Sequence, residues 1–240
     1  KIEPKDFNML NNLGMVFELI GDNNKAIEAY KQAVRVNPKY AKAINNIGVV
    51  LYKQKRYKES AQIFEIALQT DPNYTEVYSN KGAAYNKAKD YDKAIESLET
   101  AIKKMPNHSG AYTNLGNVYN KIFDYKTAAK MHEKSIELDP KGENAYSNLG
   151  TSYKYLGFSA KSIESYKKAI KLDPNFVNAH FDLATMYLTN EDFKNGWKEY
   201  EWRFKKDEMI PHIIKHKDIF SKPLFTGSED IKGKTLLLHS

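Results

Sequence analysis

Five prolines, Pro38, Pro72, Pro106, Pro140 and Pro174, recur every 34 residues, and Pro4 lies one interval earlier. A fixed period of this length marks a helical repeat array, in which units too small to bury their own apolar faces stack on their neighbours around one continuous core. The chain is therefore expected to be all-α, and its function becomes a question about surfaces.

One unit, Phe7 to Tyr40, shows why the period takes this form. Leu10, Leu13, Gly14 and Phe17 fall at i, i+3, i+4 and i+7, one face of a first helix. After Gly21-Asp22-Asn23, the residues Ala26, Ile27, Tyr30, Ala33 and Val34 repeat the pattern. Asn37-Pro38 ends this second helix, because proline disfavours a helical residue before it.

The same slots return in register. Position eight of the unit is Gly14, Gly48, Gly82, Gly116 and Gly150, with Ala184 in the last copy. Glycine inside a helix costs roughly 1 kcal/mol against alanine, so close packing must offset it. Position twenty is small throughout (Ala26, Ser60, Ala94, Ala128, Ser162, Gly196), as is position twenty-seven up to Ala169. Position twenty-four is large: Tyr30, Phe64, Leu98, His132, Tyr166, Tyr200. Much of the tyrosine is therefore packing.

With these slots assembled, the chain resembles the tetratricopeptide repeat family, whose two-helix unit carries large-Leu-Gly-Tyr on the first helix and Ala-aromatic-Ala-Pro on the second. The resemblance implies a right-handed α-α superhelical solenoid of about six units, 7–40, 41–74, 75–108, 109–142, 143–176 and 177–206. Residues 1–6 would then be the end of an upstream repeat, and 207–240 a non-repeat tail. His132 and Lys81 depart from the pattern and predict local looseness. Arg203 and Glu208 stand where a small residue and a proline belong, so stacking is expected to stop there.

Composition sets limits. No apolar run approaches the ~18 residues a membrane span needs, and a chain without cysteine has neither disulfides nor thiolate metal ligands. A cytoplasmic location is expected. The net charge of +7 invites a nucleic-acid reading, but lysines alternate with glutamates along the helices, the pattern of a solvated face, and no groove-reading motif is present. No cofactor is expected, and His212 and His216 lack a third ligand for a metal.

The surface signal lies opposite the packed face of the first helix. Position six reads Asn12, Asn46, Asn80, Asn114 and Asn148, then Asp182. In the family this face lines a concave groove. An amide offers a donor and an acceptor together, so a ladder of them can pair with the N–H and C=O of an extended peptide and ignore its side chains. The arrangement is similar to the asparagine ladder of O-linked N-acetylglucosamine transferases. At ~1 kcal/mol per hydrogen bond such a ladder supplies ~10 kcal/mol, while ordering a ten-residue peptide costs ~10–20 kcal/mol. Side chains must contribute the rest. Position thirteen offers Lys53, Lys87 and Lys121 on the same face, which favour a carboxylate-bearing ligand.

The tail adds rival readings. Trp197, Trp202 and Phe204 are placed to cover the end of the stack. Gly-Trp-x-x-Tyr-Glu-Trp-Arg, followed by Gly233-Lys-Thr-Leu-Leu-Leu-His, resembles the junction of bacterial proteins in which repeats precede a glycosyltransferase-like domain. The first expectation is a protein-binding module without catalysis of its own. One alternative is the acceptor-binding arm of a nucleotide-sugar-dependent glycosyltransferase. Another is a scaffold that self-associates through its tail.

Overall fold

A computed structural model describes residues 6–205. Among them are twelve α-helices: α1 Phe7–Leu19, α2 Asn23–Val36, α3 Ala41–Lys53, α4 Tyr57–Thr70, α5 Glu76–Lys87, α6 Tyr91–Lys104, α7 Ser109–Lys121, α8 Tyr125–Leu138, α9 Glu143–Tyr155, α10 Ser159–Leu172, α11 Val177–Thr189 and α12 Phe193–Tyr200. A 3-10 turn, Glu201–Lys205, follows. No strand occurs among the described residues. The pairing of consecutive helices is that of a tetratricopeptide-type solenoid, and the chain divides into two compact units at Leu138 and Asp139.

Local chemistry sets the helix ends. Asp22, Asp90, Asp124 and Asp192 accept from the backbone N–H three residues on, at 3.1, 3.5, 3.0 and 3.3 Å, which satisfies a free donor at the start of α2, α6, α8 and α12. Asn37, Asp71, Asp139 and Asp173 accept from the N–H two residues on, at 2.9–3.1 Å, and fold the chain around the prolines. Between first and second helices, one residue at position fifteen always takes a positive φ: Gly21, Lys55, Lys89, Phe123, Gly157 and Glu191.

The glycine slot meets the large slot of its own unit. A Cβ added at Gly48, Gly116 or Gly150 would lie 2.6, 2.6 or 2.8 Å from the Phe64, His132 or Tyr166 ring. Full burial of a large apolar side chain contributes about 1.5–3 kcal/mol, more than the roughly 1 kcal/mol that a helical glycine costs. Ser60 and Ser162, in the small slot, donate to the Gly48 and Gly150 carbonyls at 2.8 Å and draw the two helices together.

Three expectations need adjustment. His132 is not loose: it is fully buried, and its Nε2 lies 3.3 Å from Asn120 Nδ2. Lys81 is half-buried and reaches over the Tyr85 ring, so its stem fills the leucine slot while its charge finds an aromatic face. Leu13, read as part of the packed face, is 42% exposed, whereas Ile47, Leu115, Leu149 and Leu183 at the same slot are buried.

α12 gives way to the 3-10 turn after Tyr200, before Arg203 reaches the small slot. Trp202 stacks on His180 with ring centroids 3.8 Å apart. His180 itself lies between Glu199 Oε2 at 2.5 Å and the Pro174 carbonyl at 3.0 Å. Arg203 covers Tyr200 and Phe204. The expected upstream repeat end with Pro4, the tail from 206 onward, Glu208, His212, His216 and Gly233 to His239 lie outside the described residues.

Candidate peptide-binding face

In the first unit α5 touches both α3 and α7, and no pair of second helices among the described elements packs comparably. Within the first unit α3, α5 and α7 thus form one wall. Their position-six residues are spaced so that a side chain of one repeat reaches the repeat before it.

Asn46 Nδ2 donates to Asn11 Oδ1 at 3.0 Å, Asn80 Nδ2 to Asn45 Oδ1 at 3.1 Å, and Asn114 Nδ2 to Ser79 Oγ at 3.4 Å. Asn46, Asn80 and Asn114 are therefore each tied to position five of the preceding repeat. An amide nitrogen carries two hydrogens and its oxygen two lone pairs, so a tie leaves one N–H and the carbonyl. Asn46 has less to offer, because its Oδ1 also accepts weakly from Asn45 at 3.5 Å. Asn46, Asn80 and Asn114 are half-buried, and Asn12 is exposed. In the second unit, Asn148 and Asp182 occupy the same slot and are also half-buried, and Asp182 exchanges the amide for a carboxylate.

The lysines of position thirteen are exposed but not equivalent. Lys53 pairs with Glu18 at 2.5 Å, and Glu18 also accepts from the Tyr30 hydroxyl at 2.9 Å. Lys87 and Lys121 take part in no ion pair among the described residues. The charge available on this wall is thus concentrated on α5 and α7.

Sequence reasoning missed the position-five acceptors. Asn11, Asn45, Ser79 and Ser147 are 1, 7, 4 and 6% exposed. The available signal was a small polar residue at position five in each of the first five repeats, because buried polar groups are held where they have partners.

No helix among the described residues is long and apolar enough to cross a membrane, and none of their His, Asp and Glu residues cluster as a metal site.

Tetratricopeptide repeat families match residues 4–75, 73–141 and 159–190. The chain belongs to the tetratricopeptide repeat family. Such repeats serve as protein-interaction scaffolds and are in general not catalytic. No curated protein sequence matches the chain. Among solved structures it is similar to the MamA protein, with 23% identity and a TM-score of 0.60 over 70% of this chain and 92% of that one. It is also similar to Pseudomonas aeruginosa PilF, at 18% and 0.72 over 89% and 96%. A chain of the APC/C hetero-tetramer Cut9-Hcn1 aligns at 15% and 0.78 over 92% of this chain and 43% of that one. At these identities the likeness concerns the fold alone.

Proposed function

We propose that the wall of α3, α5 and α7 binds an extended polypeptide segment by its main chain, with acidic side chains meeting Lys87 and Lys121. The observation that carries this reading is the amide series Asn80 and Asn114, each held by one N–H and each retaining one N–H and a carbonyl. Within the first unit, Asn12 lies on α1 and is exposed, Asn46 has less free capacity and Lys53 is already paired; Asn148 and Asp182 hold the same slot in the second unit. A hydrogen bond to an uncharged group contributes about 1 kcal/mol, so binding is weak for any single amide and accumulates along the ladder.

The test uses a fluorescein-labelled ten-residue peptide of alternating glutamate and serine. Asn80→Ala with Asn114→Ala is expected to weaken binding by about tenfold or more in an anisotropy titration, from two or more lost hydrogen bonds of about 1 kcal/mol each, with helix content unchanged. A peptide N-methylated at alternate residues should bind as poorly to the unaltered protein. Equal affinity for methylated and unmethylated peptides would sink main-chain recognition.

A second reading keeps the same face and makes it the acceptor-binding arm of a glycosyltransferase. Its support is the sequence Gly233-Lys-Thr-Leu-Leu-Leu-His, and sugar transfer by a chain extended beyond Ser240 tests it. Self-association through the tail is tested by light scattering on the chain with and without residues after Lys206.

A further inference from the structure

The ties do more than join repeats. In all three, the amide nitrogen lies on the side of the preceding repeat, within 3.0–3.4 Å of its position-five oxygen. Since nitrogen and oxygen are the two arms of one planar group, the carbonyl of each ladder amide lies on the side of the following repeat. These three rungs then carry the same polarity.

An extended peptide has a polarity of its own. The N–H and C=O of one residue point to the same side of a strand, with the N–H nearer the N-terminal end. Bidentate pairing sets the peptide C=O against the amide nitrogen and the peptide N–H against the amide oxygen. A tie through the N–H anti to the carbonyl leaves the carbonyl and the syn N–H as one edge for this pairing.

We propose that Asn11, Asn45 and Ser79 are positioning residues that fix the orientation of the ladder amides, so that a bound polypeptide runs antiparallel to the order of the repeats, its N-terminal end over α7 and its C-terminal end over α3. The proposal rests on the main-chain reading of this face and adds the direction and the residues that set it. Repeat three supplies an internal control: its acceptor is the Ser79 hydroxyl, so serine is a sufficient acceptor at this slot.

Two measurements with the alternating glutamate-serine peptide test it on the full chain. First, Asn45→Ala removes the acceptor of Asn80 and is expected to weaken the peptide about fivefold, while Asn45→Ser stays within about twofold of the unaltered protein. Ser79→Ala, a smaller change in the buried wall, should act through Asn114 in the same direction as Asn45→Ala. The side-chain amide resonances of Asn80 should move in Asn45→Ala and return towards their original positions in Asn45→Ser. Equal affinity across these variants, with a protein that binds the peptide, overturns the positioning role and leaves main-chain capture standing.

Second, the protein has no cysteine, so a nitroxide can be carried by the peptide alone. A nitroxide at the peptide N-terminus should broaden amide signals of α7, and one at its C-terminus those of α3. The opposite pattern, or broadening of both helices by both labels, overturns the direction. Failure of the unaltered protein to bind the peptide takes down the main-chain reading and this proposal together.

Discussion

Repeats of the first unit and repeats of the second occupy the same slots with different chemistry. In the first, Phe64 and Leu98 fill the large slot by shape, Tyr30 and His132 carry polar atoms into it, and α3, α5 and α7 are stitched by amide ties. In the second, the fully buried Tyr166 sits within reach of the Thr151 hydroxyl at 3.1 Å, and the last repeat closes on the Glu199–His180–Trp202 cluster. The difference teaches that the slot specifies volume, while the means of satisfying whatever polar atoms enter it is local. Shape-filled slots lose stability smoothly with volume. Polar-filled ones fail when one partner is removed.

Acid should separate the two units most strongly. Burial pushes the His132 imidazole down to about 3 from an ordinary 6.5, and its Nδ1 has no hydrogen-bond partner. Because the folded state holds the ring neutral more tenaciously than the unfolded chain does, its contribution is intact above about pH 6.5. It is lost as the pH falls towards 3. At 1.36 kcal/mol per pH unit the difference reaches about 5 kcal/mol. The hydrogen-exchange protection of α7 and α8, with rates corrected for the intrinsic slowing of exchange in acid, should therefore drop between pH 6 and 4 more than that of α9 and α10, whose large slot holds Tyr166. His132→Leu, which reproduces the Leu98 slot, should abolish the extra loss of protection. If the α7 and α8 profile is unaltered in this variant, the polar occupant is not what makes the first unit acid-labile.

The cluster closing the second unit gives the next effect. Glu199→Ala leaves a buried ring nitrogen of His180 without its acceptor, at a cost of about 1–3 kcal/mol. Urea unfolding followed by tryptophan fluorescence should show a lower midpoint. A midpoint equal to that of the unaltered protein would mean that Trp202 stacking alone closes the repeat.

Phe123 gives the smallest effect, with the opposite sign. It is 75% exposed and held at φ 66°, where a side chain costs roughly 1–2 kcal/mol. Gly21 and Gly157 occupy the equivalent turn. Phe123→Gly should raise stability by up to about 1 kcal/mol, because relief of the left-handed conformation exceeds the added unfolded-state entropy. A lower denaturation midpoint would indicate that the Tyr125 contact of this ring outweighs its strain.

The repeat period, the helix pair and the glycine facing a large side chain were all legible in the sequence, because each is local or recurs in register. Gly48 opposite Phe64 is such a case, since five copies of one compensation expose its cause. The positive φ at position fifteen was not legible. Lysine, phenylalanine and glutamate occupy it as well as glycine, so the turn is imposed by the helices on either side.

The candidate face divides along the same line. By itself the sequence determined that an amide recurs at position six and that lysines share its side of the helix, a consequence of 3.6 residues per turn and of nothing beyond the single helix. That one N–H of this amide is already engaged, and which lysine is already paired, was decided only by tertiary structure. Asn80 finds Asn45, and Lys53 finds Glu18, across 35 residues of chain. A partner at that separation is fixed by how one repeat sits on the next, and helix periodicity does not contain that information.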